Sequence, residues 1–169
     1  YTLSTAWDIS TASFVDSFSV AAQTGTFPYS IFFKPDGTKF YVMSNTNDRI
    51  YQYSMSTAWD ISTSSYDNKS HPTDNTNPRH LWCKPDGTIV YYTDEVADLV
   101  YGETLTTAWD ISTAGTYQSF LDYSGTIGNS ASGVAFNNDG TKVFVIDSAS
   151  IEIYYWDLST AWDLTSSTL

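Results

Sequence analysis

Three features of the sequence predict an all-β fold made of repeated four-stranded antiparallel units. A segment of eight residues recurs at a step of about fifty. A second motif, built on Asp-Gly, keeps the same step. The residues between them are rich in aromatics, with 13 Tyr, 9 Phe and 6 Trp, side chains that suit a pleated, half-buried surface. No long helix-period pattern is present.

The eight-residue segment reads Ser-Thr-Ala-Trp-Asp-Ile-Ser-Thr at residues 4–11 and 56–63. It returns at 106–113, and at 159–165 with Leu164 in the Ile place. Its tryptophans, Trp7, Trp59, Trp109 and Trp162, are 52, 50 and 53 residues apart. The second motif is Lys34-Pro35-Asp36-Gly37-Thr38, then Lys84-Pro85-Asp86-Gly87-Thr88, then Asn137-Asn138-Asp139-Gly140-Thr141.

Each repeat reads as four strands. Strand A covers residues 30–33, 80–83 and 133–136. Asp-Gly then makes a hairpin, since Gly takes a positive φ without steric cost. Strand B covers 39–43, 89–93 and 142–146, and strand C covers 50–55, 100–105 and 153–158. The Trp-containing turn follows, and strand D is expected at 13–20 in the first copy. One repeat domain, 1–169, results: a partial copy at 1–20 and repeats at 28–72, 79–123 and 132–169.

Four short antiparallel strands per repeat of this length make a β-propeller blade. The fold predicted is therefore an all-β propeller with three blades in this chain. Three blades cannot close a ring, since propellers have roughly four to eight. Either a homodimer completes a six-bladed ring or the chain is a fragment of a longer propeller. The copy at 1–13 duplicates the segment ending at Thr168 and the two cannot share one slot, which favours the longer array.

The Pro-Asp-Gly-Thr hairpin with its aromatic strand resembles repeats of lactonase-like and YVTN-type propellers. The Ser-Thr-Ala-Trp-Asp-Ile-Ser-Thr segment resembles repeats of phage and marine-microbial virion or surface proteins. The first resemblance implies a divalent metal held at the channel mouth by carboxylates and His. This chain has only His71 and His80. No Gly-x-Ser-x-Gly elbow, phosphate loop or zinc spacing occurs. The expectation drawn is a non-catalytic binding module, extracellular or on a virion, that recognises a glycan or cell-surface ligand. A structural spacer is the first alternative and a metal-dependent lactonase-like hydrolase the second.

Charge narrows the partners. Seven basic residues against 19 acidic ones give a net charge of −12, which argues against nucleic acid and anionic membranes. No apolar run is long enough to span a bilayer. The single cysteine, Cys83, excludes an intramolecular disulfide and reads as a buried thiol.

Motifs present in every copy serve folding, so each repeated Asp is expected to cap a turn and each Trp to pack on a neighbouring blade. The alternative is that Trp7, Trp59, Trp109 and Trp162 form a set of sugar-stacking platforms. Ligand-binding candidates otherwise fall in loops that vary between copies: Asp48 in a B–C loop, and His71, Asp74, Arg79 and His80 in or beside the D–A loop at 67–79. No organic cofactor is expected. Ca²⁺, which takes oxygen ligands, is the ion that Asp94, Glu95 and Asp98 could hold.

Overall fold

The computed structural model describes residues 1–73, 77–115, 119–124 and 130–168. The N-terminal strands β1 (Thr2–Leu3) and β2 (Ala12–Ser13) pair with each other. The first blade is β3 (Pro28–Phe33), β4 (Lys39–Ser44), β5 (Arg49–Met55) and β6 (Ser64–Pro72). The second is β7 (Pro78–Cys83), β8 (Ile89–Asp94), β9 (Leu99–Thr104) and β10 (Ser119–Asp122). The third is β11 (Ala131–Phe136), β12 (Lys142–Asp147), β13 (Glu152–Leu158) and β14 (Ser167–Thr168). Each blade is an antiparallel meander.

Two devices, repeated in each blade, make the chain reverse. In the A–B hairpin, Asp36 Oδ1 accepts from the Thr38 N–H at 3.0 Å and its hydroxyl at 2.7 Å. Asp86 and Asp139 do the same for Thr88 and Thr141. Gly37, Gly87 and Gly140 supply the positive φ. In the C–D turn, Asp60 caps a 3₁₀ turn by accepting from the Ser62 N–H at 3.1 Å. Asp8, Asp110 and Asp163 repeat this. The residue before each cap is a tryptophan held at φ 64–70°, a region that disfavours bulky side chains.

The inner strands pack side by side, β3 on β7 and β7 on β11. The C–D turn of one blade docks on the blade before it. Trp109 stacks on Phe32 and Trp162 on Trp82. Tyr41 Oη donates to the Trp109 carbonyl at 2.7 Å, and Tyr91 Oη to that of Trp162 at 2.6 Å. Lys34 and Lys84 lie over the docked indoles, a cation–π geometry. Lys69 adds an ion pair to Asp110.

Sheet positions that are sealed in the first two blades lie open in the third. Ile50 and Val100 are fully buried, whereas their counterpart Ile153 is 69% exposed. Among the described residues no further blade covers that face.

Two expectations are corrected. Residues 14–20 form no strand; beyond β2, Phe18 packs edge-on against Phe40 and Tyr53 instead. Among the described residues, the sheet that this strand would join consists only of the short ladder between β1 and β2. Nor is 67–79 one long loop: β6 runs to Pro72, with a register shift where it pairs with Gln52 and Tyr53, and Asn68 at φ 56°.

Candidate functional site

The B–C loops and D–A connections share one face of the molecule. Because β7 lies between β3 and β11, the residues that begin or flank these strands meet at the B–C-loop end of the inner strands. Arg79 is the second residue of β7. Its Nε donates to Glu95 Oε2 at 2.7 Å, and its Nη2 pairs with the same oxygen. Asn77 Nδ2 donates to Oε2 at 2.8 Å, and Ser130 Oγ donates to Oε1 at 2.8 Å. Asn45 Nδ2 in turn donates to Asn77 Oδ1 at 2.6 Å. The Arg79 guanidinium lies 4.5 Å from the centre of the Tyr29 ring. Tyr29 and Asn45 come from the first blade, Asn77, Arg79 and Glu95 from the second, and Ser130 from the third.

The loop carrying Glu95 is fixed locally. Asp94 Oδ1 accepts from the Val96 and Ala97 N–H groups at 2.9 and 2.8 Å, while Oδ2 accepts from Asn77 N–H at 3.2 Å. Burial alone would raise the Glu95 carboxyl. Hydrogen bonds from Arg79 and Ser130, with the guanidinium charge, outweigh this and hold it below the usual carboxylate range.

The other candidates have different surroundings. His80 is half-buried, which lowers its pKa, and its Nδ1 accepts from Val134 N–H at 3.3 Å; that N–H belongs to β11. His71 lies on β6 and not in a loop, with Nε2 2.6 Å from Glu103 Oε2 in an ion-pair approach that lacks good hydrogen-bond alignment. Glu103 is fully buried and accepts from Tyr92 Oη at 2.7 Å. Asp48 and Asp98 occupy matching loop positions at φ 49° and 55°. Each has a buried Oδ1 without a hydrogen-bond partner. Asp74 lies outside the described residues.

The tryptophans differ from one another. Trp109 and Trp162 are wedged between blades, whereas Trp7 is 98% and Trp59 60% exposed. The residues that would hold a divalent metal do not fit one. Asp94 is committed to backbone amides and Glu95 to Arg79, Asn77 and Ser130. Among the described residues no three His, Cys, Asp or Glu side chains gather as an ion-binding group, so Asp94, Glu95 and Asp98 do not converge on Ca²⁺.

Asn45, Asn77, Ser130 and Tyr29 were not singled out by the sequence as members of one site. They are spread over 102 residues and form no local motif; a loop position hinted at a role only for Asn45 and Asn77.

Three four-stranded meanders docked through their inner strands define a partial β-propeller. The chain belongs to the lactonase, 7-bladed beta-propeller family, whose model matches residues 11–161. Among solved structures, a candidate 6-phosphogluconolactonase from Bacteroides fragilis is similar, with a TM-score of 0.61 and 14% identity over 84% of this chain and 36% of that one. A protein from Lactobacillus plantarum is also similar (TM-score 0.61, 18% identity, 79% of this chain and 38% of that one). So is a protein of unknown function from Desulfotomaculum acetoxidans (TM-score 0.59, 21% identity, 80% and 41%). The chain thus spans about two fifths of the length of these structures. No curated protein matches it.

The family match corrects the expectation of a non-catalytic module. That expectation rested on missing local motifs. A site assembled from several blades leaves no such motif in the sequence.

Proposed function

We propose that this chain forms part of a lactone hydrolase whose site lies at the channel mouth around Arg79. Family membership supports the reaction class, and the Arg79–Glu95 network joining three blades is the observation that carries the location.

Lactone hydrolysis adds water to the ring carbonyl. The attacking water gives up a proton to solvent as the carbonyl oxygen becomes an oxyanion, and the ring C–O bond then breaks, the departing oxygen taking up a proton to release the hydroxy acid. Arg79 spends two donors on one oxygen of Glu95. A guanidinium has five, so the remainder can stabilise the oxyanion. Preorganised donors of this kind are worth about 10²–10³ in rate. Glu95 is ionised and fully engaged, so its role is to orient Arg79 and not to abstract a proton. Tyr29 closes one side of the guanidinium against water.

The test is pH-stat hydrolysis of δ-gluconolactone by the chain and by Arg79→Ala. The wild-type rate should exceed the spontaneous rate, and the variant should lose about 10²-fold in kcat/KM with its circular dichroism spectrum unchanged. Equal rates for the two proteins would refute the assignment of the site.

A further inference from the structure

We propose that a cleft between the second and third blades binds a small primary amine in its ammonium form, on the carboxylate of Asp163 and beside the ring of Trp162. Both walls of the cleft belong to this chain. It lies at the other end of the strands from Glu95: Ile89, in its wall, opens β8, and Glu95 follows the last residue of that strand. The proposal is therefore independent of the Arg79 site.

Its basis is a comparison of the two seams of the chain. In the seam between the first and second blades, Lys69 crosses from β6 to the C–D turn of the second blade, its Nζ 2.5 Å from Asp110 Oδ2. Lys39 reaches Ser54 Oγ at 2.8 Å and Asp67 at 3.3 Å. Gln52 Oε1 accepts from the Ile111 N–H at 2.9 Å. Strand register identifies the counterparts in the next seam. Lys69 pairs with Gln52 as Ser119 pairs with Gly102, and Lys39 faces Ser54 as Ile89 faces Thr104. Three long polar side chains are thus replaced by Ser119, Gly102 and Ile89. The turn itself is kept, with Trp162 and Asp163 in the places of Trp109 and Asp110.

The replacement leaves a cleft of about 200 Å³ lined by Ile89, Thr104, Ser119, Trp162 and Asp163. Asp163 Oδ1 caps its turn, accepting from the Thr165 N–H at 3.0 Å and hydroxyl at 2.7 Å. Asp110 Oδ1 does the same for Ser112. The second oxygen of Asp110 meets Lys69, whereas that of Asp163 meets no cation among the described residues. Residues 116–118 are Thr, Tyr and Gln and bring no cation either. An ammonium group placed here donates to Asp163 Oδ2 and has donors left for the Ser119 hydroxyl and for water. Its alkyl stem lies along Ile89 and the indole, as a lysine stem lies along apolar surface. Lys84 over Trp162 does not take this place, since the first seam holds Lys34 over Trp109 and Lys69 on Asp110 together. One carboxylate oxygen is too few for Ca²⁺, which takes six to eight oxygen ligands.

The probe is n-butylammonium, which matches a lysine side chain. It is titrated into the protein at an ionic strength of about 150 mM, which screens the general attraction of an acidic protein for cations, while the Trp162 indole N–H resonance is followed by NMR. A saturable shift is expected, half complete on the order of 10 mM. Tetramethylammonium, which has no N–H, should bind at least about fivefold more weakly. Asp163→Asn keeps an oxygen for the cap and should weaken butylammonium by a similar factor. Ser119→Lys restores the lysine of the first seam and should abolish the shift. A wild-type response that never saturates, equal binding of the two cations, or binding that survives Ser119→Lys overturns the proposal. Should Asp163→Asn fail to fold, the cation comparison and Ser119→Lys still decide it.

Discussion

The Trp109 indole lies directly over Gly87, and the Trp109 backbone N–H donates to the Gly87 carbonyl at 3.0 Å. A Cβ on Gly87 would overlap the indole, and Gly87 also holds a φ of 74°. The two repeated motifs of the sequence are thus halves of one lock. The Asp-Gly hairpin provides a flat seat and the following turn supplies the ring that fills it. Trp59 on Gly37 and Trp162 on Gly140 repeat the contact. Gly87→Ala should therefore destabilise the protein by at least about 2 kcal/mol, from the left-handed backbone and the overlap together. Chemical denaturation of Gly87→Ala against wild type measures it.

Tyr91 carries a contact between blades, its hydroxyl donating to the Trp162 carbonyl. Phe144 occupies the same position in the third blade, so the ring fits without the hydroxyl. Tyr91→Phe should cost about 1 kcal/mol, the usual net worth of one hydrogen bond. A thermal melt that does not move would show that the hydroxyl is not holding the blades together.

Asp98 should make the protein less stable as pH rises. Burial, then the nearby carboxylates of Asp122, Asp147 and Asp94, raise its pKa above 3.8. The folded state then binds more protons than the unfolded one between the unfolded and folded pKa values, so stability falls as pH climbs through that interval. The deficit persists at neutral pH. Asp98→Asn keeps a residue that tolerates the left-handed backbone. It should melt higher than wild type at pH 7 and no higher below about pH 3.8.

Glu95 has the opposite sign. Its carboxyl is held below the ordinary 4.5, so the stability it contributes is present above that value and lost as pH falls through the lower folded pKa. The acid limb of kcat/KM should accordingly stay flat down to about pH 4.5. A limb that begins near pH 6 would point to a different titrating group.

The repeat made the architecture legible. Trp and Asp-Gly recur together because each blade needs both halves of the lock, and that periodicity survives in one sequence. Arg79 was legible as a polar residue in a variable connection. Its partners were not, because Glu95, Asn77 and Ser130 become neighbours only when β7 is set between β3 and β11. His71 was misplaced for a related reason: the register shift beside Tyr53 carries β6 further than the polar composition of residues 67–72 suggested.

The central claim is that Arg79 and Glu95 act as one unit at the mouth. A double-mutant cycle on kcat/KM for δ-gluconolactone, using Arg79→Ala, Glu95→Gln and the pair, tests it most directly. If Glu95 works by orienting Arg79, the double variant should be no slower than Arg79→Ala alone, within about twofold. Losses that multiply would mean that the two residues act independently, and the account of the site would be wrong.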